Sequence, residues 1–199
     1  MKFYQEITLI DQAEISPYFI WSKLYTQLHI ALVEQKDANE KVNIGVSFPK
    51  YIYEQGNEAK KTKVNLGSKL RIFARDKTAL EKLNISQWFA RLTDYVHITS
   101  IREVPENIKG YATYRRKQVK TNAERLARHR VKRGDIGFDE ALARYSNVVT
   151  TTDLPYIQIK SLTSDKSFKL FIEKKNTNQS ETQVFSTYGL SSESSVPEF

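Results

Sequence analysis

Few residues in this sequence could carry out acid–base chemistry, and His29 is the strongest candidate among them. The 199 residues include three histidines and no cysteine, which excludes a thiolate metal site and a cysteine nucleophile. The histidines stand at positions 29, 97 and 129, a spacing that argues against a His-rich metal site, and we expect no metal and no cofactor. The sequence also has no Gly-x-Ser-x-Gly motif and no Gly-rich phosphate loop. A reaction would therefore depend on a histidine acting as general acid or base.

His29 lies on a predicted helix. Ser16 is suited to cap this helix and Pro17 to occupy its first turn, and apolar residues recur at helical spacing to about Glu34. Because Leu28 belongs to the apolar face, we expect His29 at the edge of that face. A lone histidine in such a position is most often structural, so its position alone does not establish catalysis.

The positive charge of the protein is concentrated in residues 109–133. The chain has 31 Lys and Arg and 23 Asp and Glu residues, a formal net charge of +8. Residues 109–133 contain ten Lys and Arg residues and one acidic residue, Glu124, so the rest of the chain is nearly neutral. Such a cluster indicates phosphate binding, because neutralising phosphates releases condensed counterions. A solvated basic helix is the alternative, but a segment that carries the whole surplus favours nucleic acid.

The basic segment includes a second predicted helix. Thr121 and Glu124 fit a capping box, and Gly134 ends the helix. Five basic or titratable side chains share one of its faces: Arg125, Arg128, His129, Lys132 and Arg133. A basic stripe without a wide apolar counter-face fits a nucleic-acid groove better than a membrane surface. No stretch approaches the roughly 18 apolar residues of a membrane span, and the first residues lack a secretory signal, so we expect no membrane partner and a cytoplasmic location.

The elements that must position these residues predict an α+β protein. Residues 1–104 follow the order strand, helix, strand, strand, helix, strand, which is the ferredoxin-like pattern βαββαβ. The predicted strands are 2–10, 42–48, 66–74 and 95–104, and the predicted helices are 17–34 and 76–83. Residues 53–65 have no pattern and indicate an exposed loop. This domain carries His29.

Residues 105–199 form the second predicted domain, an RNA-binding part. It begins with a basic connector and the basic helix, followed by a short helix at 138–145. A small antiparallel sheet is predicted from strands at 156–160, 167–173 and 182–188. The Ser-rich tail, 190–199, is expected to be loose unless Val196 and Phe199 pack against the protein.

Several separated segments resemble the type I-F CRISPR repeat-processing endoribonucleases. They are IGVSFP (44–49), RRKQVKTNAERL (115–126), DLPYIQIKS (153–161), SFKLFI (167–172) and YGLS (188–191), with LHIALV around His29. They occur in the family's order. The resemblance implies a metal-independent endoribonuclease that cuts precursor CRISPR RNA at the base of the repeat hairpin and leaves a 2′,3′-cyclic phosphate and a 5′-hydroxyl. It also implies that the protein then holds the hairpin beside other subunits of a surveillance complex; we expect a monomer when it is free.

The resemblance assigns catalytic roles at matching positions. His29 corresponds to the general base toward the 2′-hydroxyl, Ser161 to the serine that holds the ribose, and Tyr188 to the tyrosine that orients the site. Thr163 falls where the family can carry a second serine and retains the hydroxyl. RNA supplies its own nucleophile beside the phosphate, so this small set is chemically sufficient.

The resemblance also assigns RNA contacts. Arg116 and Gln118 match the pair that reads adjacent purines, and Arg and Gln are suited to guanine and adenine edges respectively. Phe168 matches an aromatic that stacks on the terminal base pair, although a Phe in an alternating strand is also suited to a core. The arginine-rich helix corresponds to one that lies along the hairpin's major groove. The full RNA-binding set is Arg115, Arg116, Gln118, Lys120, Arg125, Arg128, His129, Lys132, Arg133 and Phe168.

Two alternatives remain open. One is a hairpin-binding subunit that does not cut, against which the retention of His29, Ser161 and Tyr188 argues. The other is a generic basic nucleic-acid-binding protein of the same fold, which predicts little hairpin preference and a dominant salt dependence.

Overall fold

A computed structural model describes residues 1–56, 61–119, 123–146, 152–161 and 166–199, and they form a mixed α/β protein. The strands are β1 Phe3–Leu9, β2 Lys41–Val42, β3 Gly45–Ser47, β4 Ile52–Glu54, β5 Lys63–Asn65, β6 Lys69–Ala74, β7 Val96–Ile98, β8 Arg102–Glu103, β9 Gly110–Lys117, β10 Tyr156–Lys160, β11 Ser167–Thr177, β12 Phe185–Ser186 and β13 Val196–Glu198. The helices are α1 Pro17–Glu34, α2 Lys77–Leu83, α3 Ile85–Trp88, α4 Ala123–Val131 and α5 Phe138–Ser146, with a 3-10 turn at Ala90–Leu92.

Two compact units make up the chain. One contains residues 1–116 and 154–199, and the other contains residues 117–153. The first unit holds both larger sheets, one ordered β3-β6-β1-β7 with β8 also paired to β1, and one ordered β10-β11-β9-β13. The predicted division after residue 104 falls between the strands of these two sheets and stays a prediction.

The first sheet is built around β1. This strand pairs antiparallel with β6 from Phe3↔Ala74 to Thr8↔Lys69, and antiparallel with β7 on its other side. Alternate residues of β1, including Ile7 and Leu9, are buried and join one hydrophobic cluster with residues from α1 and the second sheet.

Helix α1 begins and ends where the sequence predicts. The Ser16 side chain accepts a hydrogen bond from the Tyr18 amide, and Pro17 occupies the first turn. The Ser22 hydroxyl donates to the Gln158 carbonyl on β10 at 2.6 Å. This bond, together with the packing of α1 on β10, fixes the helix that carries His29 against the second sheet.

Two predictions of irregular structure are wrong, and three predicted strands, 42–48, 95–104 and 182–188, are divided or shorter than expected. The connector after residue 105 contains β9, whose residues Ala112–Tyr114 are buried. For the Ser-rich tail the stated exception holds: Val196 is only 1% exposed, Phe199 packs against the core, and the tail ends in β13, which pairs antiparallel with β9. The segment 53–65 begins in β4 and ends in β5, and these two short strands pair antiparallel. In the segment 182–188, the strand is limited to β12.

The unit of residues 117–153 contains the helices α4 and α5. Ala127 and Ala141 are fully buried, and their small side chains let the two helices pack closely. Gly134 adopts a φ of +83° and its amide donates to the Val131 carbonyl, which confirms the predicted end of the basic helix. Thr121 of the predicted capping box lies outside the described residues. Across the described ranges, no helix combines the length and the apolar character needed to span a membrane.

Candidate active site

The tautomer of His29 is fixed by a main-chain carbonyl. Its Nδ1 atom lies 2.9 Å from the carbonyl oxygen of Thr187. A carbonyl oxygen only accepts hydrogen bonds, so in this contact Nδ1 carries the proton and donates it. The neutral ring therefore keeps a lone pair on Nε2. This is the arrangement that a general base requires.

Tyr188 holds the imidazole ring from one side. The two ring centroids are 4.0 Å apart and the planes are inclined by only 7°, so the rings are stacked. Both residues are half-buried. A stacked, hydrogen-bonded ring has few accessible rotamers, and His29 is therefore held in one orientation.

A tight turn, residues 186–190, supplies both contacts to His29. The Ser186 amide and hydroxyl both donate to the Leu190 carbonyl, at 2.9 Å each. The Gly189 carbonyl accepts from the Val46 amide on β3 at 3.0 Å. Gly189 has a φ of +69°, a conformation that side chains disfavour, and an added Cβ would lie 2.6 Å from a Val46 methyl group. Only glycine fits at this point of the turn.

Arg116 and Phe168 extend the same cluster. The Arg116 guanidinium carbon lies 5.3 Å from the centre of the Phe168 ring and 5.8 Å from that of the Tyr188 ring. These cation–π distances orient an otherwise flexible side chain. Arg116 is exposed and Phe168 is half-buried, so both retain surface that a ligand could contact. The structure thus brings together four of the predicted site residues: His29, Tyr188, Arg116 and Phe168.

The environment lowers the pKa of His29. Burial is the largest cause; the hydrogen bond to Thr187 opposes it, and the positive charge of Arg116 lowers the pKa further. The net result is a pKa below the ordinary value of about 6.5, so the ring is mostly neutral at pH 7. Burial raises the pKa of Tyr188, whose hydroxyl therefore stays protonated.

We expect His29 in the free protein to titrate below about 6.5, and Arg116→Gln to raise its pKa, because the substitution removes a positive charge that disfavours the imidazolium. The measurement is an NMR titration of the His29 ring protons. Lys117→Gln removes one positive charge at the next position and is the control. A His29 pKa that does not rise in Arg116→Gln would contradict this electrostatic account.

Ser161 follows β10, and its amide donates to the Lys166 carbonyl at 2.8 Å. The helix that carries His29 packs on the strand that precedes Ser161. Residues 162–165, which include Thr163, lie outside the described part of the chain. The catalytic roles of Ser161 and Thr163 stay predictions.

The remaining predicted RNA contacts fall into three groups. Arg115 forms an ion pair with Glu173 within the first unit. Five of the predicted contacts lie in the second unit and have exposed side chains: Gln118, Arg128, His129, Lys132 and Arg133. Arg128 also forms an ion pair with Glu124 at 3.0 Å. Lys120 lies outside the described residues, and Arg125 is described only as part of α4. Their contacts with RNA stay predictions.

The roles of three residues in the site were missed from the sequence. Thr187 acts through its main-chain carbonyl, which no side-chain pattern reveals. Gly189 is required by the positive φ of the turn, which a single glycine within YGLS does not reveal. Tyr25 donates a hydrogen bond to the Tyr188 carbonyl. Its position four residues before His29 could have indicated a role in the same site, because residues at this spacing share a helix face.

The described residues contain no group of three or more His, Cys, Asp or Glu side chains placed so that they could hold a metal ion. The independence of the reaction from metal stays a prediction.

The chain matches the family described as CRISPR-associated protein (Cas_Csy4) over residues 4–199. It is 35% identical to a CRISPR-associated endonuclease Cas6/Csy4 from Escherichia coli (strain UTI89 / UPEC), with both chains covered completely. It is 32% identical to the protein of that name from Pseudomonas aeruginosa (strain UCBPP-PA14), again over both full lengths. A solved structure titled "An RAMP protein binding different RNA substrates" aligns over both whole chains with 10% identity and a TM-score of 0.38. The matches to the family and to its full-length relatives show that this chain belongs to the CRISPR-associated Cas_Csy4 family.

Proposed function

We propose that this protein is an endoribonuclease that cleaves precursor CRISPR RNA at the base of each repeat hairpin. Two relatives that match over their full length are named as CRISPR-associated endonucleases. The charge of the chain supports a phosphate-rich substrate, since one segment carries the entire positive surplus.

The observation that carries the proposal is the state of His29. Its Nδ1 proton is committed to the Thr187 carbonyl, and its lowered pKa keeps Nε2 free of a proton at neutral pH. In the proposed reaction Nε2 takes the proton of the ribose 2′-hydroxyl. The 2′-oxygen then bonds to the adjacent phosphorus, the bond from phosphorus to the 5′-oxygen breaks, and that oxygen takes up a proton. The products are a 2′,3′-cyclic phosphate and a 5′-hydroxyl, and no metal takes part in these steps.

The neighbouring residues have distinct roles in this proposal. Tyr188 orients His29 by stacking, Ser161 holds the ribose, and Thr163 supports the same region. Phe168 stacks on the terminal base pair of the hairpin. Arg116 and Gln118 read adjacent purines beside this base pair. The cation–π contacts of Arg116 with Phe168 and Tyr188 orient its guanidinium group, which supports this role.

The basic segment completes the proposed RNA interface. Arg115, Lys120 and the face of the basic helix, Arg125, Arg128, His129, Lys132 and Arg133, are proposed to contact hairpin phosphates and groove edges. The exposure of Arg128, His129, Lys132 and Arg133 supports this role.

The finer architecture forms part of the proposal. The strands are ordered β3-β6-β1-β7 in the sheet. Along the chain, α1 follows β1 and precedes β3, and α2 lies between β6 and β7. This order of elements supports a ferredoxin-like first domain. We further propose that the protein is a monomer when free, acts in the cytoplasm, and keeps the cut hairpin as a subunit of a surveillance complex.

The test is incubation of the protein with its repeat hairpin in excess EDTA, with analysis of the product ends. We expect one cut at the hairpin base, a 2′,3′-cyclic phosphate and a 5′-hydroxyl. Tight binding without cleavage would favour a non-cutting hairpin-binding subunit. Equal binding to unrelated RNA and DNA, with a dominant salt dependence, would favour a generic nucleic-acid-binding protein.

Arg116→Ala tests base reading. Loss of a forked contact to a purine should cost about 1–3 kcal/mol against the preferred hairpin and relax the choice of base at that position. Competition binding between hairpins that differ at one purine measures this. Uniform weakening for every hairpin would contradict base reading and assign Arg116 to a phosphate.

A further inference from the structure

Tyr25 lies one helical turn before His29 on α1, on the same face. Its hydroxyl donates to the main-chain carbonyl of Tyr188 at 2.8 Å. The side chain is 0% exposed, and its ring stacks on Phe48 with centroids 6.0 Å apart. Burial also raises the pKa of Tyr25, so the hydroxyl remains a donor throughout the neutral range.

Tyr25 and His29 bind adjacent carbonyls of one turn. His29 donates to the Thr187 carbonyl, and Tyr25 donates to the next carbonyl, that of Tyr188. The peptide unit is planar, so fixing the Tyr188 carbonyl also fixes the plane that joins Tyr188 to Gly189. The same helix face therefore holds the turn at two consecutive points.

We infer that Tyr25 is a positioning residue for the cleavage reaction. Its hydroxyl holds the turn at Tyr188 so that the Thr187 carbonyl meets Nδ1 of His29 and the Tyr188 ring stays parallel to the imidazole. Through this bond Tyr25 keeps the His29 proton on Nδ1. The inference rests on the proposed function, because it assigns Tyr25 a role in that reaction.

Loss of the Tyr25 hydroxyl alone should not unfold the turn. The Ser186 amide still bonds the Leu190 carbonyl, and the Val46 amide still bonds the Gly189 carbonyl. Tyr25→Phe also retains the ring that stacks on Phe48. The substitution therefore removes one hydrogen bond from an otherwise folded turn.

The experiment compares wild type and Tyr25→Phe by nitrogen NMR of the His29 ring and by single-turnover cleavage of the hairpin. In wild type we expect the neutral ring to carry its proton on Nδ1. In Tyr25→Phe we expect a larger fraction with the proton on Nε2, a cleavage rate lower by about tenfold, and unchanged hairpin affinity. Tyr51→Phe is the matched control, because the Tyr51 hydroxyl donates to the Ile172 carbonyl at 3.0 Å. It should leave both the tautomer and the rate unchanged.

An unchanged tautomer and an unchanged rate in folded Tyr25→Phe would overturn the inference and leave Tyr25 a role in stability alone. A second measurement needs no variant: in wild type, the Tyr25 hydroxyl proton should exchange slowly and show coupling to the Tyr188 carbonyl carbon. A rapidly exchanging hydroxyl would also overturn the inference. Neither NMR readout requires RNA, so absence of cleavage by wild type would refute the proposed function separately.

Discussion

His29→Ala is expected to abolish cleavage of the hairpin while leaving its binding close to that of wild type. A positioned histidine typically contributes about 10²–10⁴-fold to a proton transfer, and the rate should fall by that amount. Affinity should change little, because the positive charge of the chain lies in residues 109–133 and the His29 ring is neutral at pH 7. Single-turnover cleavage and hairpin binding, measured on the same protein, check both parts.

His29→Asn is the matched variant for this prediction. An asparagine amide can donate to the Thr187 carbonyl in place of Nδ1 but has no basic nitrogen, so it separates the support of the turn from the proton transfer. We expect His29→Asn to be as inactive as His29→Ala, and added imidazole to restore part of the activity of His29→Ala. Cleavage by His29→Asn at the wild-type rate would assign His29 a structural role.

Gly189→Ala is expected to cause the second large effect, a loss of stability together with a loss of cleavage. The φ of +69° costs a non-glycine residue roughly 1–2 kcal/mol, and the contact of 2.6 Å with Val46 adds an overpacking cost of roughly 1–3 kcal/mol. The same turn presents the Thr187 carbonyl and the Tyr188 ring to His29, so its distortion should also slow the reaction. Thermal unfolding and single-turnover cleavage measure the two effects.

Gly137→Ala is the control for that substitution. An added Cβ at Gly137 would meet no heavy atom of the described residues within 4 Å. Gly137 also lacks the positive φ that Gly189 has. The Gly137 carbonyl accepts a hydrogen bond from the Ala141 amide at the start of α5, where glycine is preferred to alanine, so the substitution should cost no more than about 1 kcal/mol in the free energy of unfolding. A Gly189→Ala protein as stable and as active as Gly137→Ala would show that the turn tolerates a side chain.

Local signals in the sequence were sufficient for the first sheet and its helix. Ser16, Pro17 and a regular apolar stripe define α1, and the structure confirms the helix from Pro17 to Glu34. The order of the strands from β1 to β7 follows the same local signals. The helix predicted at 76–83 ends at Leu83, and the left-handed φ of 45° at Asn84 separates it from α3. The strands predicted at 42–48 and 95–104 are each divided into two, β2 and β3 in the first case and β7 and β8 in the second.

The second sheet was harder to predict because its strands resemble irregular sequence. The strand β9 carries Gly110 and basic residues near its end, and β13 follows a run of serines. Both are strands because of long-range pairing: Val196 lies opposite Ala112 and is buried with it. Such burial is a tertiary effect that overrides local propensity.

The residues of the candidate site were predictable as types but not as an arrangement. The residue types indicate His29 as the candidate general acid or base, and the family resemblance indicates its role as the base and the role of Tyr188. Their stacking depends on residues 159 positions apart and on a main-chain carbonyl, that of Thr187. No pattern of side chains indicates which carbonyl will meet a ring nitrogen. The pKa of His29 likewise depends on burial and on Arg116, which only the fold brings near it.

The most direct test of the central claim, that the 2′-hydroxyl of the RNA is the nucleophile in a cleavage that needs no metal, is single-turnover cleavage of a hairpin with one 2′-deoxy sugar at the cut site. We predict that wild-type protein in EDTA cuts the all-ribose hairpin, binds the 2′-deoxy hairpin equally well and leaves it whole. Cleavage of the 2′-deoxy hairpin at the same bond would show that water or another group attacks the phosphorus, and would contradict the account.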